Sequence, residues 1–243
     1  MKILQLCLLF IAVPAAFCVL GFDISYYQGA VSQETFTCMK NKGYDFAIIQ
    51  AWIGGYNINK NYVQNWKNAK AAGIKYVDIY VFACNNCKNN NPATIVASIK
   101  ATLPSGFDGM LWIDVEPCTN CWLDNDSNLQ FVNNLATTAK AAGFNVGIYS
   151  CIWCWENTFG SRTASTATLK SLPLWYAHFD NQTNFNDGGY NFGGYTKPSI
   201  KQFNDHPTAD CNLEYDSDWY PNAEEFDVAG GFIHSSYLES SDQ

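Results

Sequence analysis

Short apolar strands alternate with helix-like segments along almost this whole chain, and that rhythm restricts the fold more than any other feature. The strand candidates are 21–25, 46–52, 76–83, 110–116, 146–150, 174–179, 200–203 and 214–219. Between them lie helical stretches at 32–41, 60–72, 92–103, 127–142 and, shorter, 164–171. Their ends carry chemical punctuation: Ser32 is a good N-cap, Pro92 suits a first turn, and Gly73 and Gly143 are helix stops. The phrase Ala-Ala-Gly occurs at 71–73 and again at 141–143, each time before a strand. Strands alternating with helices build a parallel sheet. About eight of them in 243 residues, with no linker between, favour one TIM-like α/β barrel of mostly parallel strands over an open sheet.

In such barrels function sits at the C-terminal ends of the strands. Asp23 and Ser25 fall there after the first strand, Ser150 after the fifth and Gln202 on the seventh. The fourth strand is an apolar run, Gly109-Met110-Leu111-Trp112-Ile113, that ends in Asp114-Val115-Glu116. Side chains two apart on a strand point the same way, so the two acids should face one space. Crowded, poorly hydrated carboxylates repel, and one should keep its proton above the usual carboxylate range. A protonated acid beside an ionised one is what glycosidic cleavage requires. The spacing alone leaves a strand that ends in two ordinary surface acids equally open.

Composition narrows the class. Hydrophobic residues at 48% and charged residues at 15% describe a chain with a large core. The 8 Trp, 14 Tyr and 16 Phe are mostly core by expectation, and the surplus also suits stacking on the apolar faces of sugar rings. A formal charge of −8 argues against nucleic acid or anionic membranes as partners and hints at an acidic compartment. Lys2, a short apolar run and small residues up to Cys18 read as a secretory signal over 1–18, with cleavage after Ala16 as the alternative. Expected domains are then the signal, a barrel over 19–221 and a polar, acidic tail over 222–243. Beyond the signal lie eight cysteines, an even number, which in a secreted chain implies disulfides. Six form Cys-x-x-Cys pairs at 84/87, 118/121 and 151/154, following the third, fourth and fifth strands, where they would brace loops around the mouth. Zinc binding and thiol exchange are the sharper alternatives for these pairs. Asn125 and Asn181 begin glycosylation sequons in expected loops.

The ordered set of motifs carries a resemblance. The chain holds Gly21-Phe22-Asp23-Ile24-Ser25 with Gln28, then Tyr62-Val63-Gln64-Asn65-Trp66, Asp114-Val115-Glu116 and Gly147-Ile148-Tyr149-Ser150. Leu174-Trp175-Tyr176-Ala177-His178, Lys201-Gln202-Phe203 and Tyr215-Asp216-Ser217-Asp218-Trp219 follow. In that order the chain resembles glycoside hydrolase family 25, the Chalaropsis-type lysozymes or N-acetylmuramidases, and among them the eukaryotic members. The resemblance implies a flattened β/α barrel that cleaves the β-1,4 bond between N-acetylmuramic acid and N-acetylglucosamine in bacterial peptidoglycan. It makes Glu116 the general acid and Asp114 the group that assists the substrate's own acetamido. Asp23 and a late aspartate, placed at Asp216 with Asp218, Asp210 and Glu214 as neighbours, complete the cluster. The raised pKa of Glu116 is expected from the charges of Asp114 and Asp23. Tyr149, Trp175, Gln202 and Ser25 are expected to bind substrate, with Trp112 a further cleft candidate, and His178 is expected to be structural. A Tyr-His-Phe common after the third strand in the family is Tyr80-Val81-Phe82 here. No metal or cofactor is expected, and a secreted or lysosomal monomer is. The competing readings are a binding protein that kept the barrel without catalysis, and a chitinase-like hydrolase.

Overall fold

In the computed structural model, residues 18–55, 57–205 and 209–221 are described. The expected tail, and the expected signal apart from Cys18, lie outside them. The strands are β1 (Val19–Ile24), β2 (Tyr44–Ile53), β3 (Asn57–Ile58), β4 (Tyr76–Phe82), β5 (Met110–Asp114), β6 (Asn145–Ser150), β7 (Leu174–Ala177), β8 (Ile200–Asn204) and β9 (Asp216–Tyr220). The helices are α1 (Gln33–Asn41), α2 (Tyr62–Ala71), α3 (Pro92–Thr102), α4 (Asn125–Ala141) and α5 (Ile152–Phe159). Eight strands close a barrel in the order β1-β9-β8-β7-β6-β5-β4-β2, with β2 paired back to β1. The short β3 only extends β2 as a hairpin. Seven barrel strands run parallel, and β9 runs antiparallel to both neighbours, β8 and β1. Among the described residues no α-helix lies between β8 and β9, and the two strands pair antiparallel.

Local chemistry explains the element ends. Ser32 Oγ accepts from the Thr35 N–H, Asn91 Oδ1 from Thr94 and Asp124 Oδ1 from Ser127, which satisfies first-turn donors of α1, α3 and α4. At both Ala-Ala-Gly joints the glycine takes a left-handed φ, +85° at Gly73 and +90° at Gly143, and its N–H caps the helix it ends. Two expectations shift. The stretch 164–171 forms only a 3-10 turn, Leu169–Ser171; Thr166 spends its hydroxyl on Asn133 and on the Leu169 N–H, a side-chain alternative to a helix. Asn125, expected in a loop, opens α4.

The core has two compartments. Between wall and helices pack outward-facing strand side chains such as Phe22, Ile49, Leu111 and Ile113, together with Trp155 of α5. Inside the barrel pack Phe46, Ile48, Tyr80, Met110, Trp112, Tyr149, Trp175 and Tyr220. Trp112 is fully buried there and donates from Nε1 to Asp78 Oδ2 at 2.9 Å, so it is core and not cleft. Gly147 leaves the space its ring fills: a Cβ there would come within 2.2 Å of it. Each Cys-x-x-Cys pair is closed on itself, and Cys38 of α1 is bonded to Cys211 ahead of β9.

Candidate active site

Strand alternation brings the acids together. On β5, Leu111 and Ile113 face the helices while Met110, Trp112 and Asp114 face the interior, and Asp114 is the last of that row. The strand ends at Asp114, short of the expected 116, and neighbours hold the chain beyond it: the Val115 N–H donates to Tyr149 O at 2.9 Å and Ser150 Oγ to Val115 O at 2.7 Å. Trp122 Nε1 donates to Glu116 O at 2.8 Å, so the acid's backbone is fixed on its far side too. On β1, Asp23 ends an interior row that begins with Val19 and Gly21. On β9, running the other way, Asp216 stands opposite Asp23 and Asp218 opposite Gly21.

The carboxyls share one cleft of about 920 Å³ at the C-terminal ends of the parallel strands. Asp23, Asp114, Glu116, Asp205, Glu214 and Asp216 line it, and among the described residues no Lys, Arg or His does. All the substrate-binding candidates line it as well: Ser25, Tyr149, Trp175 and Gln202. Gln202 is the hub. Its amide donates to Asp23 Oδ2 at 2.7 Å and Asp216 Oδ2 at 3.3 Å, and its carbonyl accepts from the Tyr149 hydroxyl at 2.6 Å. Ser25 also has a structural task, since its Oγ donates to Gln28 Oε1 at 2.9 Å. Asp218 lies fully buried and accepts from Trp175 Nε1 at 2.8 Å. It also meets the Asp23 carboxyl, a contact that is a hydrogen bond only while one of the two keeps its proton.

Proton affinities follow from this crowding. Burial pushes the Glu116 carboxyl up to about 7. This corrects the expected cause: removal from water leads, not the charges of Asp114 and Asp23. Asp114 is raised well above the carboxylate range by burial and then by the Glu116 charge. Asp23 is raised by burial and then by Asp218 and Asp216, so its repelling partners come chiefly from β9. One oxygen of Asp114 is buried without a hydrogen-bond partner among the described residues.

Other candidates fall elsewhere. Asp210 pairs with Lys42 Nζ at 2.5 Å and Glu214 sits exposed on the rim; of the two β9 acids, Asp216 lines the cleft and the fully buried Asp218 does not. His178 is half exposed, outside the cleft, with Nδ1 3.0 Å from Asp187. Sequence reasoning did not assign Tyr80, a buried interior residue that lines the cleft. Burial, then the charges of Asp23, Asp114 and Glu116, pushes its hydroxyl well up, which keeps it a neutral donor. The signal was available: Tyr80 stands near the end of a strand paired with β5, which carries Asp114.

A family model described as "Lysozyme-like protein 1" matches residues 17–203. Probable GH family 25 lysozyme 3 of Dictyostelium discoideum is 39% identical over 205 residues, covering 84% of this chain and 41% of that protein. Probable GH family 25 lysozyme 2 of the same organism is 38% identical over 207 residues, covering 83% of this chain and 90% of its own length. The chain thus spans under half of the first relative and nearly all of the second. Among solved structures, a family GH25 lysozyme from Aspergillus fumigatus shares the fold, with a TM-score of 0.68 at 20% identity, covering 88% of this chain and 99% of that one.

Proposed function

The chain belongs to the glycoside hydrolase family 25 lysozymes, and from that premise we propose that it hydrolyses the β-1,4 bond between N-acetylmuramic acid and N-acetylglucosamine in bacterial peptidoglycan. The observation that carries the reading is the pair at the end of β5. A carboxyl held up to about 7 stands two residues from a buried carboxyl with one unpartnered oxygen. Glu116 keeps its proton in mild acid and gives it to the leaving glycosidic oxygen. The substrate's acetamido carbonyl attacks the anomeric carbon, and positive charge develops on its nitrogen. Asp114, which lines the cleft, accepts that N–H with its carboxylate and stabilises the charge, which draws it toward its ionised form. This is the substrate-assisted exception to the two-carboxylate scheme, so no protein atom attacks the sugar. Asp23 and Asp216, tied together by Gln202, complete the acidic wall, and Trp175 and Tyr149 form its apolar floor.

The test is clearing of a bacterial cell-wall suspension between pH 3 and 9, with analysis of the sugar at the new reducing end. Lysis should peak in acid and fall as pH rises through about 7, where Glu116 ionises; the acid limb belongs to the coupled pair. An N-acetylmuramic acid reducing end supports the reading. Equal lysis by Glu116→Gln, or cleavage of chitin oligomers alone, would overturn it.

A further inference from the structure

Two tyrosines that the acid chemistry leaves unused stand at the lip of the cleft. Tyr26 and Tyr27 come directly after Ser25 at the mouth end of β1, and both line the cleft. Their rings lie against each other, with centroids 4.0 Å apart and planes 35° apart. Tyr27 is 78% exposed and Tyr26 37%. Of the large hydrophobic side chains exposed among the described residues, Leu123, Trp153 and Phe179 do not line the cleft and these two do.

The backbone beneath the pair is pinned. The Ser25 N–H and Oγ both donate to Gln28 Oε1, at 2.8 and 2.9 Å, and the Tyr27 N–H donates to Ser25 Oγ at 3.2 Å. The Tyr26 N–H donates to Oε1 of Gln50, a buried side chain on β2, at 2.9 Å. The Gly29 N–H closes the turn on Tyr26 O at 3.0 Å, with Gly29 at φ +63°. A short turn is thus fastened to two barrel strands and presents an aromatic face to water. Holding that face in place beforehand lowers the ordering cost of whatever stacks on it. A ring face attracts apolar C–H surface and asks for no charge, which suits a pyranose ring beside a wall of carboxyls.

We propose that the Tyr26–Tyr27 pair is a saccharide-stacking platform, holding one further neutral N-acetylhexosamine unit of the glycan strand at the rim of the cleft. The proposal rests on the muramidase reading for its substrate, and it predicts that the protein favours long strands over short ones. The test compares kcat/KM of wild type, Tyr27→Ala, Tyr27→Trp and Trp153→Ala on peptidoglycan glycan strands of increasing length. Tyr27→Ala should lose about three- to tenfold on long strands and less than twofold on the shortest strand cleaved. Tyr27→Trp should keep the length preference, and Trp153→Ala, exposed but outside the cleft, should match wild type. A Tyr27→Ala loss equal at all lengths, or no loss, overturns the platform. If wild type cleaves no glycan strand, the muramidase reading fails separately. The platform is then decided by calorimetry with N-acetylglucosamine hexamer on Glu116→Gln, with and without Tyr27→Ala: unchanged affinity overturns it, and a three- to tenfold loss upholds it.

Discussion

Glu116→Gln should make the protein more stable at neutral pH while removing its activity, and the gain in stability should vanish in acid. Burial pushes this half-buried carboxyl from 4.5 up to about 7. The unfolded chain therefore releases the proton near 4.5 and the folded chain near 7. Below 4.5 both states hold it and the folded state bears no cost. Between the two values only the unfolded state is ionised, and above 7 the folded state carries the whole charge. Stability is thus lost as pH rises, by about 1.4 kcal/mol per pH unit across that interval, or about 3 kcal/mol in all. Water reaching the exposed part of the side chain trims this toward about 2 kcal/mol. Glutamine has nearly the same shape and no charge. The variant should match wild type at pH 4 and exceed it by about 2–3 kcal/mol at pH 8, a rise in Tm of several degrees. Thermal and urea melts of both proteins at pH 4, 6 and 8 measure the difference directly. A gap that does not change with pH, or a variant less stable at pH 8, would refute the argument that burial sets this proton affinity. Wall lysis by the same variant should fall about 10²- to 10⁴-fold.

Other consequences are as direct. The Cys38–Cys211 bond joins residues 173 apart, so replacing both by alanine should cost up to about 5 kcal/mol, whereas removing Cys84–Cys87, 3 apart, should cost about 2; urea melts without reductant compare them. Lys201→Met should destabilise by about 3–5 kcal/mol, because the fully buried ammonium lies 2.7 Å from Asp180 and 2.5 Å from Asp187 and both acids would lose it. A Lys201→Met/Asp187→Asn double variant should recover part of that loss in the same melts. Gly147→Ala drives a methyl into the Trp112 ring and should cost about 1–3 kcal/mol, visible as a lowered urea midpoint with an unchanged slope.

The barrel was legible because most of its wall strands are short apolar runs between turn signals, and the Ser32 cap and the first-turn Pro92 mark where their helices begin. α5 was not legible. Ile152–Phe159 is rich in aromatic and polar residues of middling helix propensity, and it is held by tertiary packing of Trp155 on Phe192 and Tyr195. The reversed direction of β9 also escaped, since an apolar-and-acid pattern reads the same in either direction. The period of two placed Asp114 and Glu116 on one side of a strand, and the ordered motifs named the family. Which late acid joins them was decided only by closure of the barrel: antiparallel pairing sets Asp216 against Asp23 at the mouth and drops Asp218 one layer lower, beside Trp175. The cause of the raised Glu116 carboxyl was likewise decided in three dimensions. Charge spacing along a chain can be counted from residues, but loss of water depends on what every other strand brings to the same place.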